Sequence, residues 1–178
     1  MRKKIGVFGS AFNPPTKGHA NAIKQAEKAF DEVWLFPSFA HAHGKKPIDF
    51  NIRIELLKIF IKELNNNRIK ISDLEKECFE KSNKKFVYTY DLLLFLSLKY
   101  PKYDFVFICG QDNSSPENWK KFYKSELIDR NFGKYIVKEE VDIRSTYLRN
   151  AIKNRNEEDI VKYTFKSIAD KIVELELY

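Results

Sequence analysis

Gly9-Ser10-Ala11-Phe12-Asn13-Pro14-Pro15-Thr16-Lys17-Gly18-His19 stands directly behind the short apolar run Ile5-Gly6-Val7-Phe8, and an Ala-rich helical pattern from Ala20 to Phe30 opens behind it. A buried strand that stops at Gly9 can turn sharply there, and Pro14 and Pro15 stiffen the loop and keep it out of helical geometry. The next helix is expected to start near Thr16 to His19. The first NH groups of a helix have no intrahelical partner and sit at the positive end of its dipole, so a phosphate is their natural ligand. A small Gly18 lets such a ligand come close, and His19 projects an imidazole NH beside it. The pattern is a phosphate cradle with one histidine in it.

Working outward, further strands are predicted at Glu32 to Phe36, Arg68 to Ser72, Asp104 to Gly110 and Lys134 to Val137, after a first at Lys4 to Gly9. They alternate with helical patterns at Gly18 to Phe30, Phe50 to Asn65, Tyr88 to Lys99 and Ser145 to Asn154. Short apolar strands separated by amphipathic helices imply right-handed crossovers and a parallel sheet covered on both faces. The expected class is therefore α/β, a doubly wound parallel sheet. Ligands in such sheets bind at the carboxyl ends of the strands, near the point where the strand order reverses. Gly9 and Gly110 both stand at such ends. The stripe Ile54, Leu57, Ile61, Leu64 and the pattern Phe165, Ile168, Ile172, Leu175 are core-facing helical packing.

The chain has 178 residues, 43% of them hydrophobic, enough for one core of ordinary size, and no Pro/Gly/Ser-rich linker divides it. One domain over residues 1–178 is expected. Its 32 Lys and Arg against 25 Asp and Glu give a net charge of +7. The basic clusters, Arg2 to Lys4, Lys45 to Lys46, Lys84 to Lys85 and Lys120 to Lys121, are dispersed, which suits a solvated surface and polyanionic small molecules better than a nucleic-acid track. Cys78 and Cys109 lack metal-ligand spacing and read as reduced thiols. No apolar stretch is long enough for a signal peptide or membrane span, so a cytoplasmic location without membrane contact is expected. Interface patches need a surface, so the sequence does not give an oligomeric state.

A second candidate cradle lies downstream. Asp142-Ile143-Arg144-Ser145-Thr146 precedes a predicted helix, with Ser145 and Thr146 at its start and Arg149 one turn on. Alone this is an ordinary capped helix with an exposed Arg. Gly110-Gln111-Asp112-Asn113 follows a strand end, where common turn chemistry also accounts for it. An indole at Trp119, flanked by Glu117, Asn118 and Lys120, is expected to lie partly outside the core and could stack on a flat ring. His41 and His43 have no third ligand nearby and make a poor metal site, and no protein metal site is expected.

Taken together, these segments resemble a known family. Gly9 to His19 is similar to the first signature of the nucleotidyltransferase superfamily named for its HxGH motif, with Thr16 in the first His position. Ile143-Arg144-Ser145-Thr146-Tyr147-Leu148-Arg149 resembles the second, ISSTxIR, with Arg144 replacing the first Ser. Gly110 to Asn113 with Trp119, Tyr88-Thr89-Tyr90-Asp91-Leu92-Leu93, and Ile172 to Tyr178 resemble the bacterial nicotinate mononucleotide adenylyltransferase branch, over nearly the whole chain.

The resemblance implies a Rossmann-like fold and transfer of AMP from ATP to a pyridine mononucleotide, with nicotinate favoured over nicotinamide and pyrophosphate released. It implies catalytic roles for His19, Thr16 and Arg149, with Thr16 offering its hydroxyl to the phosphates. Gly9, Ser10, Phe12, Gly18, His19, Gly110, Asp112, Ile143, Ser145, Thr146 and Arg149 are then the ATP contacts. Asn13, Thr89 and Trp119 are expected on the mononucleotide. His43 and Lys45 or Lys46 match a loop whose basic side chain meets the mononucleotide phosphate. Asp112 bonds a ribose hydroxyl or orders a magnesium-bound water, and Mg²⁺ is expected to arrive on the ATP phosphates. A phosphopantetheine adenylyl- or cytidylyltransferase of the same superfamily and a non-catalytic, basic RNA-binding α/β protein are the alternatives.

Overall fold

The computed structural model describes residues 2–40 and 47–178. His43, Lys45 and Lys46, expected at the mononucleotide phosphate, lie outside the described residues. One five-stranded sheet organises the rest: β1 (Lys3–Ser10), β2 (Glu32–Pro37), β3 (Ile69–Ile71), β4 (Tyr103–Gly110) and β5 (Lys134–Val137), in the order β3-β2-β1-β4-β5. Every pairing is parallel. The chain winds outward from β1 to β3, then returns to the other side of β1 with β4. The order therefore reverses between β1 and β4, and the crevice at their carboxyl ends is where such a sheet binds ligands.

Both faces are buried, which explains the near-continuous apolar strands. Successive side chains alternate between two cores. Val33, Leu35 and Ile108 face one, with Ile23, Leu56, Leu57, Phe60, Ile168 and Ile172. Ile5, Val7, Phe36, Phe105, Phe107 and Cys109 face the other, with Leu92, Leu93, Leu96 and Ile128. The first core is covered by α1 (Lys17–Ala26), α2 (Phe50–Leu64) and α10 (Lys166–Glu174), the second by α3 (Leu74–Lys81), α4 (Thr89–Lys99) and α7 (Ser125–Asn131). α2 starts where the Asp49 carboxylate accepts the Asn51 and Ile52 NH groups, and it stops at Asn65, whose φ of 47° lies in the left-handed region.

Four differences from the sequence reading stand out. β1 runs to Ser10, so Gly9 is not the turn but an exposed strand residue paired with Phe36. α1 ends at Ala26, four residues before the predicted limit, because Phe30 packs into the first core. α3, α7 and α9 (Glu157–Tyr163) carry too few apolar residues at helical spacing to announce themselves. The short helices α5 (Gln111–Ser114) and α6 (Pro116–Trp119) occupy what the sequence suggested was a turn. Cys78 and Cys109 are free thiols, each pushed up to about 11 by burial. Among the described residues no helix is long and apolar enough to cross a membrane.

Leu93 is fully buried on α4 in the second core. Leu93→Ala should cost about 2–5 kcal/mol of unfolding free energy, read from the shift of the urea midpoint at unchanged slope.

Candidate active site

Thr16 begins the site. It is the N-cap of α1, and it forms a capping box in which His19 takes the place that a Glu or Gln usually fills. The Thr16 backbone NH donates to His19 Nδ1 at 3.1 Å, and the Thr16 hydroxyl lies 2.9 Å from the same nitrogen. A nitrogen that accepts a backbone NH carries no proton, so the neutral imidazole is protonated at Nε2 and the Thr16 hydroxyl donates to Nδ1. Nε2–H then points to Ser10 Oγ, 3.1 Å away. Phe12 and Phe8 flank the ring at centroid distances of 4.8 and 6.2 Å, and burial among them lowers the imidazole pKa to about 4. At neutral pH His19 is an uncharged donor with a fixed tautomer.

This corrects two expectations. Thr16 is wholly buried, and its hydroxyl serves His19 instead of reaching the phosphates. Phe12, expected against ATP, is also wholly buried, at a φ of 46°, and forms the packing beneath His19.

The loop between β1 and α1 is held from outside. Arg149 Nη1 donates to the Asn13 carbonyl at 2.6 Å, Ser145 Oγ to that of Pro14 at 2.8 Å, and Thr164 Oγ1 to that of Pro15 at 3.1 Å. Arg53, almost completely buried, reaches the Ala11 carbonyl at 2.9 Å and the Ile48 carbonyl at 3.0 Å. Ser145, Thr146 and Arg149 all belong to α8 (Ser145–Lys153), the helix of the second motif. Gly18 explains how closely the motifs approach, since a Cβ there would lie 2.3 Å from the Ile143 carbonyl oxygen. The space beside Gly18 was expected to admit the ligand; the second motif's backbone occupies part of it.

Together they enclose a cleft of about 810 Å³ lined in part by Ser10, Asn13, Gly18, His19, Ile143, Ser145, Thr146 and Arg149. Two smaller cavities adjoin it. One, about 240 Å³, is lined by Gly18, Gly110, Asp112, Asn113, Val137 and Ile143 among others. The other, about 320 Å³, is lined by Gly9, Ser10, Ala11, Glu75, Thr89, Leu92 and Asn113 among others. Gly9 thus belongs with Thr89, not with the large cleft. Asn113 borders all three cavities.

Trp119 is not at the site. It is 7% exposed, its ring centroid lies 4.9 Å from Phe122 and 6.3 Å from Phe107, and its Nε1–H donates to Asp129 at 2.8 Å. Polar neighbours in sequence suggested a partly free indole, but its apolar contacts come from β4 and the following loop. Other residues were missed. Tyr178 lines the large cleft and donates its hydroxyl to Asn13 Oδ1 at 2.7 Å, and burial holds its phenol above the usual tyrosine range. Glu75 lines the cavity of Thr89 and accepts the Phe39 NH at 2.9 Å; burial pushes its carboxyl up to about 8, against that NH and Arg53. Glu75 lies in no motif, and Tyr178 closes the terminal segment whose resemblance implied no site role.

Residues 7–151 match the family model described as cytidylyltransferase-like. The chain belongs to that family. Among relatives, the "Probable nicotinate-nucleotide adenylyltransferase" of Streptococcus pyogenes serotype M1 is 33% identical over 116 residues, covering 62% of this chain and 51% of that one. The nicotinate-nucleotide adenylyltransferase of Bacillus subtilis (strain 168) is 32% identical over 133 residues, 71% of this chain and 65% of that one. The match thus spans about half the length of the streptococcal relatives. The crystal structure of a "Putative Nicotinate-nucleotide Adenylyltransferase" from Vibrio parahaemolyticus superposes with a TM-score of 0.81 at 36% identity, over 96% of this chain and 99% of that one. The fold is also that of Plasmodium falciparum nicotinic acid mononucleotide adenylyltransferase complexed with NaAD, at a TM-score of 0.72, 24% identity, and coverage of 99% and 97%.

Two outcomes check this geometry. Gly18→Ala should lose about 1–3 kcal/mol of stability in denaturant unfolding, because backbone must yield at Ile143; a variant as stable as the parent would show that the two motifs do not clasp there. In a histidine NMR titration, His19 should keep its Nε2–H tautomer from neutral pH down toward its midpoint at about 4, and a midpoint near that of free imidazole would contradict the packing.

Proposed function

We propose that the chain is a nicotinate-nucleotide adenylyltransferase, transferring AMP from ATP to nicotinate mononucleotide with release of pyrophosphate, a step in NAD biosynthesis. The observation that carries the reading is the convergence of His19 and Arg149, from motifs at opposite ends of the chain, on one cleft with a second cavity beside it at Thr89. The triphosphate lies in the large cleft between the starts of α1 and α8. The adenosine points toward Gly110 and Asp112, and the pyridine ring enters the cavity of Thr89. Asn13 stands between, and Trp119 acts only from behind, through Phe107 and Phe122. The relatives named above support this choice of acceptor.

In the reaction a 5′-phosphate oxygen of the mononucleotide attacks the α-phosphorus of ATP, and the bond to the bridging oxygen of pyrophosphate breaks. No side chain becomes covalently attached. The chain's part is positioning and charge stabilisation. His19 turns its Nε2–H from Ser10 to an α-phosphate oxygen as negative charge builds there, and Thr16 prevents the ring from offering the wrong nitrogen. Arg149 supplies its charge, and the N–H donors that it does not spend on Asn13 and Thr146, to the β- and γ-phosphates.

Among the described residues no group of three or more His, Cys, Asp or Glu is placed to hold a metal ion. A magnesium ion, if it enters with ATP, would be held by phosphate oxygens and water, and its chemistry would be to neutralise charge on the leaving pyrophosphate. A cytoplasmic location, one domain, and small-molecule partners without nucleic acid complete the proposal.

Purified protein should release pyrophosphate from ATP when nicotinate mononucleotide is present, faster than with nicotinamide mononucleotide, phosphopantetheine or a CTP-dependent pair. No pyrophosphate with any acceptor would refute the transferase reading. His19→Ala should keep the fold and lose about a hundredfold or more in rate, and a rate close to the parent's would remove His19 from the mechanism.

A further inference from the structure

Arg144 stands where the ISSTxIR pattern that the second motif resembles has its first Ser, and the structure surrounds it with carboxylates. It is the N-cap residue of α8 and lines both the large cleft and the cavity of Gly110 and Asp112. Its Nη2 lies 2.7 Å from Glu139 and 3.1 Å from Asp112, and its Nε lies 3.5 Å from Asp142. Glu139 and Asp142 come from the loop after β5 and Asp112 from α5, the short helix that follows β4, so the guanidinium bridges the two sides of the cavity. All four side chains are at least a third exposed. Exposed ion pairs are held weakly against water and salt, and a polyanion can displace them.

The charge of the large cleft makes the matter sharper. Of the described residues that line it, Arg144 and Arg149 are the full cations and Glu139 is an anion. His19 is neutral at physiological pH, and Arg149 already spends Nη1 on the Asn13 carbonyl and Nη2 on Thr146. A triphosphate arriving here meets few positive charges, and the least committed to the protein backbone is Arg144.

We infer that Arg144 is a second triphosphate-binding residue of the site, resting on the transferase reading above, and that it exchanges Asp112 and Glu139 for phosphate oxygens when ATP binds. One exchange does two things. It brings a fork of donors to the polyanion, and it releases the Asp112 carboxylate to accept a sugar hydroxyl in the neighbouring cavity. The ion pairs hold the guanidinium at the mouth of the cleft until the nucleotide arrives.

Calorimetric titration of the full chain with a non-hydrolysable ATP analogue and, separately, with adenosine tests this in the parent, Arg144→Ser and Arg144→Lys. Arg144→Ser should weaken the analogue by about tenfold or more and flatten the dependence of its affinity on salt, while adenosine binding is kept or tightened because Asp112 is already released. Arg144→Lys should recover part of the loss, since it keeps the charge and not the fork. Unchanged affinity for the analogue in Arg144→Ser overturns the assignment, and so does an equal loss for both ligands, which would mean that Arg144 only braces the loops. A parent chain that binds no analogue and releases no pyrophosphate would instead bring down the transferase reading itself.

Discussion

Between Ala11 and Pro15 the chain runs through two prolines that have no NH to offer, so this loop cannot stabilise itself by joining a helix or a sheet. What it presents instead is carbonyl oxygens, at Ala11, Asn13, Pro14 and Pro15, and each is met by a side chain from a distant element. Leaving one such buried group without a partner costs about 1–3 kcal/mol, so the four together fix the loop far more firmly than its own residues could. The site depends on that constraint. His19 is aimed only because Thr16 is fixed, and Thr16 follows directly on the clamped segment.

The same clamps join the two halves of the sheet. Ser145 and Arg149 belong to the helix that follows β5, on one side of the reversal in strand order, while Arg53 belongs to the helix that follows β2, on the other. A doubly wound sheet leaves a crevice at its reversal for purely topological reasons. Here that crevice is floored by a rigid loop whose supports arrive from both directions. Gly18 lets the supports close up until the Ile143 carbonyl fills the place of a side chain.

Much of this could be read from the residues. β5 was found to the residue, the starts of α2 and α8 likewise, and the pairing of two helix starts on one cleft was legible because Gly18, His19 and the Ser145-Thr146 pair sit where helix ends leave NH groups exposed. Roles were harder than places. A threonine at a helix start looks the same whether its hydroxyl turns to a ligand or to a histidine three positions on, and only the 2.9 Å contact decides. Trp119 misled because polar neighbours in sequence say little about an indole whose contacts come from other elements. Arg53, Glu75 and Tyr178 were invisible as site residues for a related reason. Each lies within or beside an apolar helical or terminal pattern, and each acquires its role from a partner that the local sequence does not contain.

Asn13 Oδ1 receives the Tyr178 hydroxyl across 165 positions of the sequence. A ribosome therefore makes the loop long before it makes the last of these clasps. Arg149 and Thr164 emerge late as well. A nascent chain carries this loop without the groups that shape it until those later residues have emerged, so the cleft takes its form only after them.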